Sequence, residues 1–234
     1  MISKKIAFIP SSIEVQELVP CPKPAKTYVP ESYKKIKNNS LKNPIFENYK
    51  FKGFNIKQCM PFLDSLTTGY IQETWTDIYI ERGNDSHCTY MWSSAPKIMA
   101  DRSEVNREIS NDFYPVEYIW MQPWKVKTEK NYSCLIVHPL NRDDLPFHTL
   151  SGVIDSDKYH HIAFGQLPFY LKKDFQGLIP AGTPMFQIIP FKRENWSSTV
   201  LDYDEKNQRL LNNEMFKHFF GAYKNKFWQA KKFD

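Results

Sequence analysis

Short strand-like segments separated by turn residues, without helices alternating between them, constrain the fold of this chain most. Runs rich in β-branched and aromatic residues recur from residue 76 to residue 191, and proline or polar turns interrupt them. The predicted strands are 4–9, 76–81, 87–92, 116–121, 132–137, 150–154, 160–164, 166–171 and 184–191. The pattern predicts a mainly β fold, built as a β-clip or jelly-roll-like barrel or sandwich rather than a parallel α/β sheet.

The chain is expected to form a single domain, 1–234, because all-β domains routinely reach this length. Residues 1–56 predict an extended proline-rich arm with one short strand, since closely spaced prolines disfavour helix. Residues 57–200 predict the β core. Within it we expect a short helical turn at 59–66, and the many charges of 100–112 indicate a surface helix.

An amphipathic helix is predicted for residues 204–232. Its apolar residues recur four apart, with further ones beside them: Leu211, Met215, Phe219, Tyr223 and Phe227, widened by Leu210, Phe216 and Phe220. Lysines gather toward the C-terminal end, where the helix dipole favours positive charge. Such a face covers either the domain's own sheet or a partner protein, and both alternatives remain open.

Composition argues against several functional classes. The net charge of +5 comes from 31 basic and 26 acidic residues that are interspersed, so there is no strong nucleic-acid signal. No apolar run approaches the roughly 18 residues of a membrane helix, and no export signal is visible, so we expect a cytoplasmic protein without a membrane partner. The four cysteines are far apart, which favours reduced structural thiols over a zinc or redox motif.

Residues 132–193 hold the densest run of candidate functional residues. Arg142 precedes a hairpin at 152–157 (GVIDSD), Tyr159 follows it, and Gln187 lies in a later apolar strand, five residues after a glycine. This order resembles the dUTPase and dCTP deaminase superfamily, which has the β-clip fold. A carboxylate fixed at a hairpin tip can act as a general base, and an aromatic face can pack on a sugar.

The resemblance implies roles for individual residues. Asp155 would be the catalytic residue that orients or deprotonates water, Tyr159 would pack on a deoxyribose, and Arg142 would bind phosphate. Gln187 and Asp157 complete the ligand-binding residues that we infer from the resemblance. Because Lys158 displaces the aromatic by one position and no glycine-rich C-terminal lid exists, the expected function is nucleotide binding or pyrophosphohydrolysis in a partly degenerate cleft. Mg²⁺ is the expected cofactor if hydrolysis occurs.

Histidines suggest a metal site, but the motif pattern favours a metal-free protein. His138, His148, His160 and His161 fall within 24 residues that also hold Asp143, Asp144 and Asp155. Residues 179–185 (IPAGTPM) also resemble the second cupin motif, in which a histidine would stand in place of Met185. We therefore predict no metal ligand, and a cupin-like jelly roll that binds a small ligand is one alternative function.

A second resemblance covers nearly the whole chain. Residues 24–31 (PAKTYVPE), 57–64 (KQCMPFLD), 122–128 (QPWKVKT) and 132–142 (YSCLIVHPLNR) are similar to a family of uncharacterised marine phage and bacterial proteins. The resemblance implies a location in the host cytoplasm or the virion. A competing hypothesis is therefore a non-enzymatic virion or assembly protein whose two terminal regions make subunit contacts. A homo-oligomer is expected as well.

Overall fold

Antiparallel strands make up most of the computed structural model, which describes residues 4–37, 56–83, 88–104, 108–159, 165–217 and 223–234. These residues form fourteen strands in four sheets, and every pairing among them is antiparallel. The strands are β1 (Ile6–Pro10), β2 (Lys23–Pro24), β3 (Tyr70–Glu73), β4 (Ile78–Glu81), β5 (Thr89–Trp92), β6 (Met99–Glu104), β7 (Val116–Gln122), β8 (Trp124–Thr128), β9 (Tyr132–Val137), β10 (Phe147–Thr149), β11 (Gly152–Ile154), β12 (Gly165–Leu171), β13 (Gly177–Ile179) and β14 (Pro184–Lys192). The prediction of a mainly β chain is confirmed.

The sheets surround one hydrophobic core. Their strand orders are β11-β9-β14-β3-β2, β10-β12-β7-β6, β13-β4-β5 and β1-β8. Trp120 of β7, Ile136 of β9 and Ile78 of β4 are all completely buried in the same cluster, so three different sheets contribute to it. The fourth sheet adds Val126 of β8. Among the described strands no sheet closes on itself.

Helices are few and short. They are α1 (Ile13–Leu18), α2 (Glu31–Lys35), α3 (Met60–Thr67) and α4 (Glu205–Lys217), with 3₁₀ turns at Ala25–Tyr28 and Ile56–Gln58 and a π-helical turn at Tyr223–Phe227. The proline-rich arm therefore contains two short helices where extended chain was predicted. In α1, the Ser12 hydroxyl accepts the N–H of Val15 and caps the helix. The helical turn predicted at 59–66 is present as α3.

Eight predicted strands are present, and the ninth, 160–164, lies outside the described residues. The surface helix predicted for 100–112 is wrong over its first part, because β6 occupies Met99–Glu104 and pairs with β7. Arg102 of β6 forms an ion pair with Glu117 of β7 at 3.0 Å. Charged side chains are common on edge strands such as β6, where they discourage pairing with another chain. High charge density is therefore a poor helix signal here.

A glycine allows the central strands to approach one another. Gly69, which precedes β3, has a φ of +73°, a backbone conformation that residues other than glycine rarely adopt. A Cβ atom at this position would lie 2.1 Å from the carbonyl oxygen of Ile188 in β14. The pairing of β3 with β14 therefore requires glycine at this position.

Candidate functional site

The predicted site residues lie at two ends of one sheet face. Gln187 of β14 pairs with Val137 of β9, whereas Phe191 pairs with Ser133, the residue that binds Asp155. Four residues separate these two rows, which corresponds to about 13 Å along the strands. The two rows place Asp155 and Gln187 apart along the sheet rather than side by side. The reason is the register, which no motif in the sequence encodes.

Asp155 and Asp157 belong to a compact ionic cluster with an arginine. The Ser133 hydroxyl donates to Asp155 Oδ1 at 2.7 Å, and Arg193 Nη1 donates to the same oxygen at 3.1 Å. The Arg193 guanidinium also donates to both carboxylate oxygens of Asp157, at 2.9 and 2.5 Å. The backbone N–H of Asn131 donates to Asp157 Oδ2 at 2.9 Å. The cluster joins the turn after β11 to the end of β14.

The two aspartates of the cluster differ in exposure. The Asp157 side chain is only 5% exposed, and the hydrogen bond from Arg193 lowers the pKa of this carboxyl to about 2. Asp155, by contrast, keeps 57% of its side chain exposed. Asp157 is therefore an ion-paired anchor rather than a ligand-binding group, whereas Asp155 remains accessible to solvent.

Arg193 is a residue that sequence reasoning missed. It directly follows β14, and its own backbone N–H donates to the Asn131 carbonyl at 2.9 Å. A basic residue after a strand is a weak signal, because its partners lie 36 and 38 residues earlier in the chain. Only the antiparallel pairing of β14 with β9 brings these groups together.

Tyr159 lies on a turn, not on a strand. The backbone N–H groups of Lys158 and Tyr159 both donate to the Asp155 carbonyl at 2.9 Å, which makes one helical turn after β11. Lys158, which separates Asp157 from Tyr159 in the sequence, lies within this turn. Tyr159 is 47% exposed, so Asp155 and Tyr159 are two accessible groups on neighbouring positions.

Gln187 has a structural role. Its side chain is buried, and its carbonyl oxygen accepts the N–H of Leu140 at 2.9 Å. Its amide donates to the carbonyls of Ser65 and Thr68 at 3.1 and 2.5 Å. Both N–H groups are therefore engaged, and the side chain joins the end of α3 to β14 and to the loop after β9. The ligand-binding role predicted for Gln187 does not fit this geometry.

Arg142 lies near Gln187 and lines a surface hollow of about 370 Å³. Its Nε and Nη2 donate to the two carboxylate oxygens of Asp144 at 2.7 and 2.8 Å, and its Nη1 donates to the Tyr28 carbonyl at 3.4 Å. Most of the other residues of the hollow are apolar, among them Leu145, Pro146, Phe175, Leu178, Ile179 and Pro180. Because Asp144 already neutralises the guanidinium, this hollow suits an apolar or aromatic group better than a phosphate.

Two histidines of the predicted window stack on each other. The rings of His138 and His148 lie 4.7 Å apart, and burial lowers the pKa of His138 to about 4. Nδ1 of His138 accepts the Thr149 N–H at 3.3 Å, which leaves the proton on Nε2 to be donated to the Arg142 carbonyl at 3.0 Å. His160 and His161 lie outside the described residues. Across the described part of the chain, no three His, Cys, Asp or Glu side chains are grouped as metal ligands.

The most exposed part of the described chain follows Arg193. We call residues 194–217 the C-terminal arm; every residue from Glu194 to Asn213 is exposed. The arm carries six bulky apolar side chains that are 49–98% exposed: Trp196, Val200, Leu201, Tyr203, Leu210 and Leu211. Of the predicted apolar face, Leu210 and Leu211 lie on the described part of α4, where they remain 55% and 49% exposed and line a hollow together with Phe227. Phe219 and Phe220 lie outside the described residues.

The chain returns to the body after the arm. The Trp228 indole N–H donates to both carboxylate oxygens of Asp64 in α3, at 3.1 and 3.0 Å, and Lys231 pairs with the same carboxylate at 2.6 Å. Phe233 then packs against the core and meets Tyr70 edge to face, with ring centroids 5.9 Å apart. The helix predicted up to residue 232 therefore gives way to a docked, non-helical tail. The arm is held at both ends, by Arg193 and by Trp228.

Comparison of the chain with protein-family models and with curated proteins finds no match. None of the helices in the described ranges combines the length and the apolar character of a membrane span. The fold and its surfaces define a mainly β protein with a tethered, apolar and exposed arm. Its function is therefore inferred from this geometry.

Proposed function

We propose that this chain is a non-enzymatic assembly subunit whose C-terminal arm packs against a second copy of the chain. The observation that carries the proposal is the exposure of twenty consecutive residues that include Trp196, Leu201 and Tyr203, at 88%, 83% and 78%. Exposed apolar surface on this scale is typical of protein interaction sites. Single scattered apolar residues would need no such explanation, but these are concentrated in one tethered segment.

Helix α4 supports the same proposal. It has 13 residues, and isolated helices shorter than about 12–15 residues are marginal in water. In proteins such helices gain most of their stability by burying an apolar face. Leu210 and Leu211 of α4 remain 55% and 49% exposed within a single chain. A partner surface would supply the missing burial.

Area and charge favour a second copy as that partner. The six bulky side chains of the arm present on the order of 1,000 Å² to solvent, and a standard interface buries about 800 Å² on each partner. Residues 194–205 include four acidic and no basic residues, whereas the whole chain carries a net charge of +5. The rest of each copy is therefore basic and attracts the acidic start of another copy's arm.

The type of β fold, the location of the protein and the choice of contact arm are part of the same proposal. We take the four sheets to be a β-clip or jelly-roll-like sandwich, which the fully antiparallel pairing around one core supports. The resemblance of four sequence segments to phage and bacterial proteins supports a location in the virion or the host cytoplasm. The proline-rich arm packs on its own body through buried Ala25 and Tyr33, so the C-terminal arm is the stronger candidate for subunit contacts.

Self-association can be tested with one pair of variants. The molar mass of the full chain, measured by sedimentation across a hundredfold range of concentration, should exceed 27.7 kDa and fall toward it on dilution. Trp196→Ala combined with Leu201→Ala should remain at the mass of one chain. The matched control is Ile13→Ser, a change at a 76% exposed position far along the chain from the arm, and it should assemble normally. A wild-type mass of one chain at all concentrations would refute the proposal.

Nucleotide binding near Asp155 is a second candidate function. The observation that favours it is the joint exposure of the Asp155 carboxylate and the Tyr159 ring on one turn. Titration calorimetry with a panel of deoxynucleoside triphosphates and Mg²⁺ tests it, together with an assay for pyrophosphate release. Heat or turnover that disappears in Asp155→Asn would support this function. Folded protein that is silent in both assays removes it.

A further inference from the structure

The sheet β13-β4-β5 has an apolar outer face that nothing in the described chain covers. Leu178 of β13 pairs with Tyr79 of β4, which pairs in turn with Met91 of β5, so the three side chains form one row across the sheet. They are 53%, 41% and 61% exposed. We call this row the Leu178 face. Neighbouring residues of the same strands, such as Ile78, point to the core and are completely buried.

The Leu178 face adjoins the hollow beside Arg142. Leu178 belongs to both, because it also lines the hollow of about 370 Å³ together with Phe175 and Pro180. The two features therefore form one continuous surface that has an apolar row and a concave pocket. Interfaces bind most strongly where an aromatic anchor fills such a pocket, and Trp is enriched among these anchors.

We propose that the C-terminal arm of one copy docks on the Leu178 face of a second copy, with Trp196 seated in the hollow beside Arg142. The inference rests on the self-association proposed above and specifies its receiving surface. Trp196 is the most exposed aromatic side chain of the arm, at 88%. Its indole ring suits this hollow, because most of the residues that line it are apolar.

The start of the arm lies far from the hollow of its own chain, which favours a contact between two copies over a contact within one chain. Pro184, at the start of β14, lines the hollow, whereas Arg193 follows the last residue of the same strand. Nine residues of β-strand span about 30 Å, so the root of the arm and the hollow lie at opposite ends of the sheet. The return of the chain at Trp228 to Asp64 further restricts the path of the arm.

Cysteine crosslinking tests the contact directly. In a full-length background with the exposed Cys21 and Cys59 changed to serine, Ser197→Cys, beside the retained Trp196, is combined with Leu178→Cys and treated with a short bismaleimide. The matched control combines Ser197→Cys with Val153→Cys, which is 62% exposed on a different sheet. We expect a covalent dimer from the first pair and none from the second. Leu178→Asp alone should weaken self-association at least about 10-fold.

The outcomes separate this inference from the proposed function. Crosslinking only through Leu178→Cys, together with weaker assembly of Leu178→Asp, supports the docking surface. If the wild-type chain assembles and Trp196→Ala abolishes assembly, but neither Leu178 variant differs from its control, the arm binds elsewhere and the inference is overturned. If the wild-type chain has the mass of one copy at every concentration, the proposed function fails as well.

Discussion

Strand β14 and the C-terminal arm are neighbours in the sequence, and both carry bulky apolar side chains, but their surroundings are opposite. Met185, Phe186 and Ile188 of β14 are at most 1% exposed, whereas Trp196 and Val200 of the arm are 88% and 98% exposed. The ionic cluster at Arg193 marks the boundary between the two regions. Apolar residues before this boundary stabilise the fold of one chain, and those after it are available to another.

The buried side chains of β14 and the exposed side chains of the arm should contribute to different free energies, the first to folding and the second to assembly. The energy of burying an apolar side chain contributes to the unfolding free energy only if the side chain is already covered in the single chain. Side chains of the arm should therefore affect assembly and leave the stability of the monomer unchanged.

The largest difference in the free energy of unfolding is expected when a tryptophan is changed to alanine in the body and, separately, in the arm. Trp120 is completely buried, stacks on Phe169 with ring centroids 3.7 Å apart, and donates its indole N–H to Thr149. Trp120→Ala should lower the free energy of unfolding by about 3–5 kcal/mol, whereas Trp196→Ala should change it by less than about 0.5 kcal/mol. Urea denaturation at a concentration below assembly measures both. A comparable loss in Trp196→Ala would mean that the arm packs within its own chain.

Gln187 should show the cost of a buried polar group in β14. Gln187→Leu leaves the N–H of Leu140 and the carbonyls of Ser65 and Thr68 without their partner. The expected loss is about 2–3 kcal/mol in urea denaturation. The control is Gln166→Leu on the exposed side of β12, which should be nearly neutral. Equal stability of the two variants would contradict the structural role of Gln187.

His138 predicts an acid-dependent loss of stability in the body. Because burial lowers its pKa to about 4, the folded chain holds this ring neutral while the unfolded chain protonates it below about 6.5. The stabilising contribution is complete above pH 6.5 and is lost progressively as the pH falls from 6.5 to about 4, below which the folded chain also binds the proton. Thermal unfolding between pH 7 and pH 4 should show a smaller slope for His138→Gln. Parallel profiles for the variant and the wild type would contradict the assignment.

The smallest effect is expected at the root of the arm. Asp157→Asn removes the buried half of the ion pair with Arg193 and should lower the melting temperature by about 2–4 °C. Asp155→Asn should have less effect, because Asp155 is largely exposed and meets Arg193 through a single oxygen. Calorimetric scans of the two variants give the comparison. If Asp155→Asn were the more damaging variant, the assignment of Asp157 as the anchor would be wrong.

Periodicity in the sequence was sufficient for most of the sheet but not for its pairing. Alternating strands such as β4, Ile78–Glu81, were predicted because their side chains alternate between core and solvent. Six strands were missed: β2, β3, β6, β8, β10 and β13. Of these, β2, β10 and β13 have at most three residues, and β6 carries its charges at a sheet edge. Strand register depends on contacts between distant segments, which a single sequence does not display.

The same limit explains the outcome for the candidate site. Residues 152–157 were predicted as a hairpin that presents a carboxylate; the structure has the short strand β11 followed by a turn, where Asp155 is 57% exposed. The motif gave no indication that Arg193 would form an ion pair with Asp157, or that the Gln187 side chain would bind backbone groups of α3. These partners lie 36 and 119 to 122 residues apart in sequence. The amphipathic character of α4 was predictable, but whether its apolar face would pack on the chain itself was not.

Amide hydrogen exchange at two protein concentrations tests the central claim most directly. Peptides from β14 should be protected equally at both concentrations, because that strand is covered within each chain. Peptides from residues 194–217 should exchange rapidly in dilute protein and at least about tenfold more slowly at concentrations that favour assembly. Rapid exchange of the arm that does not depend on concentration, in a chain that remains folded, would contradict the account.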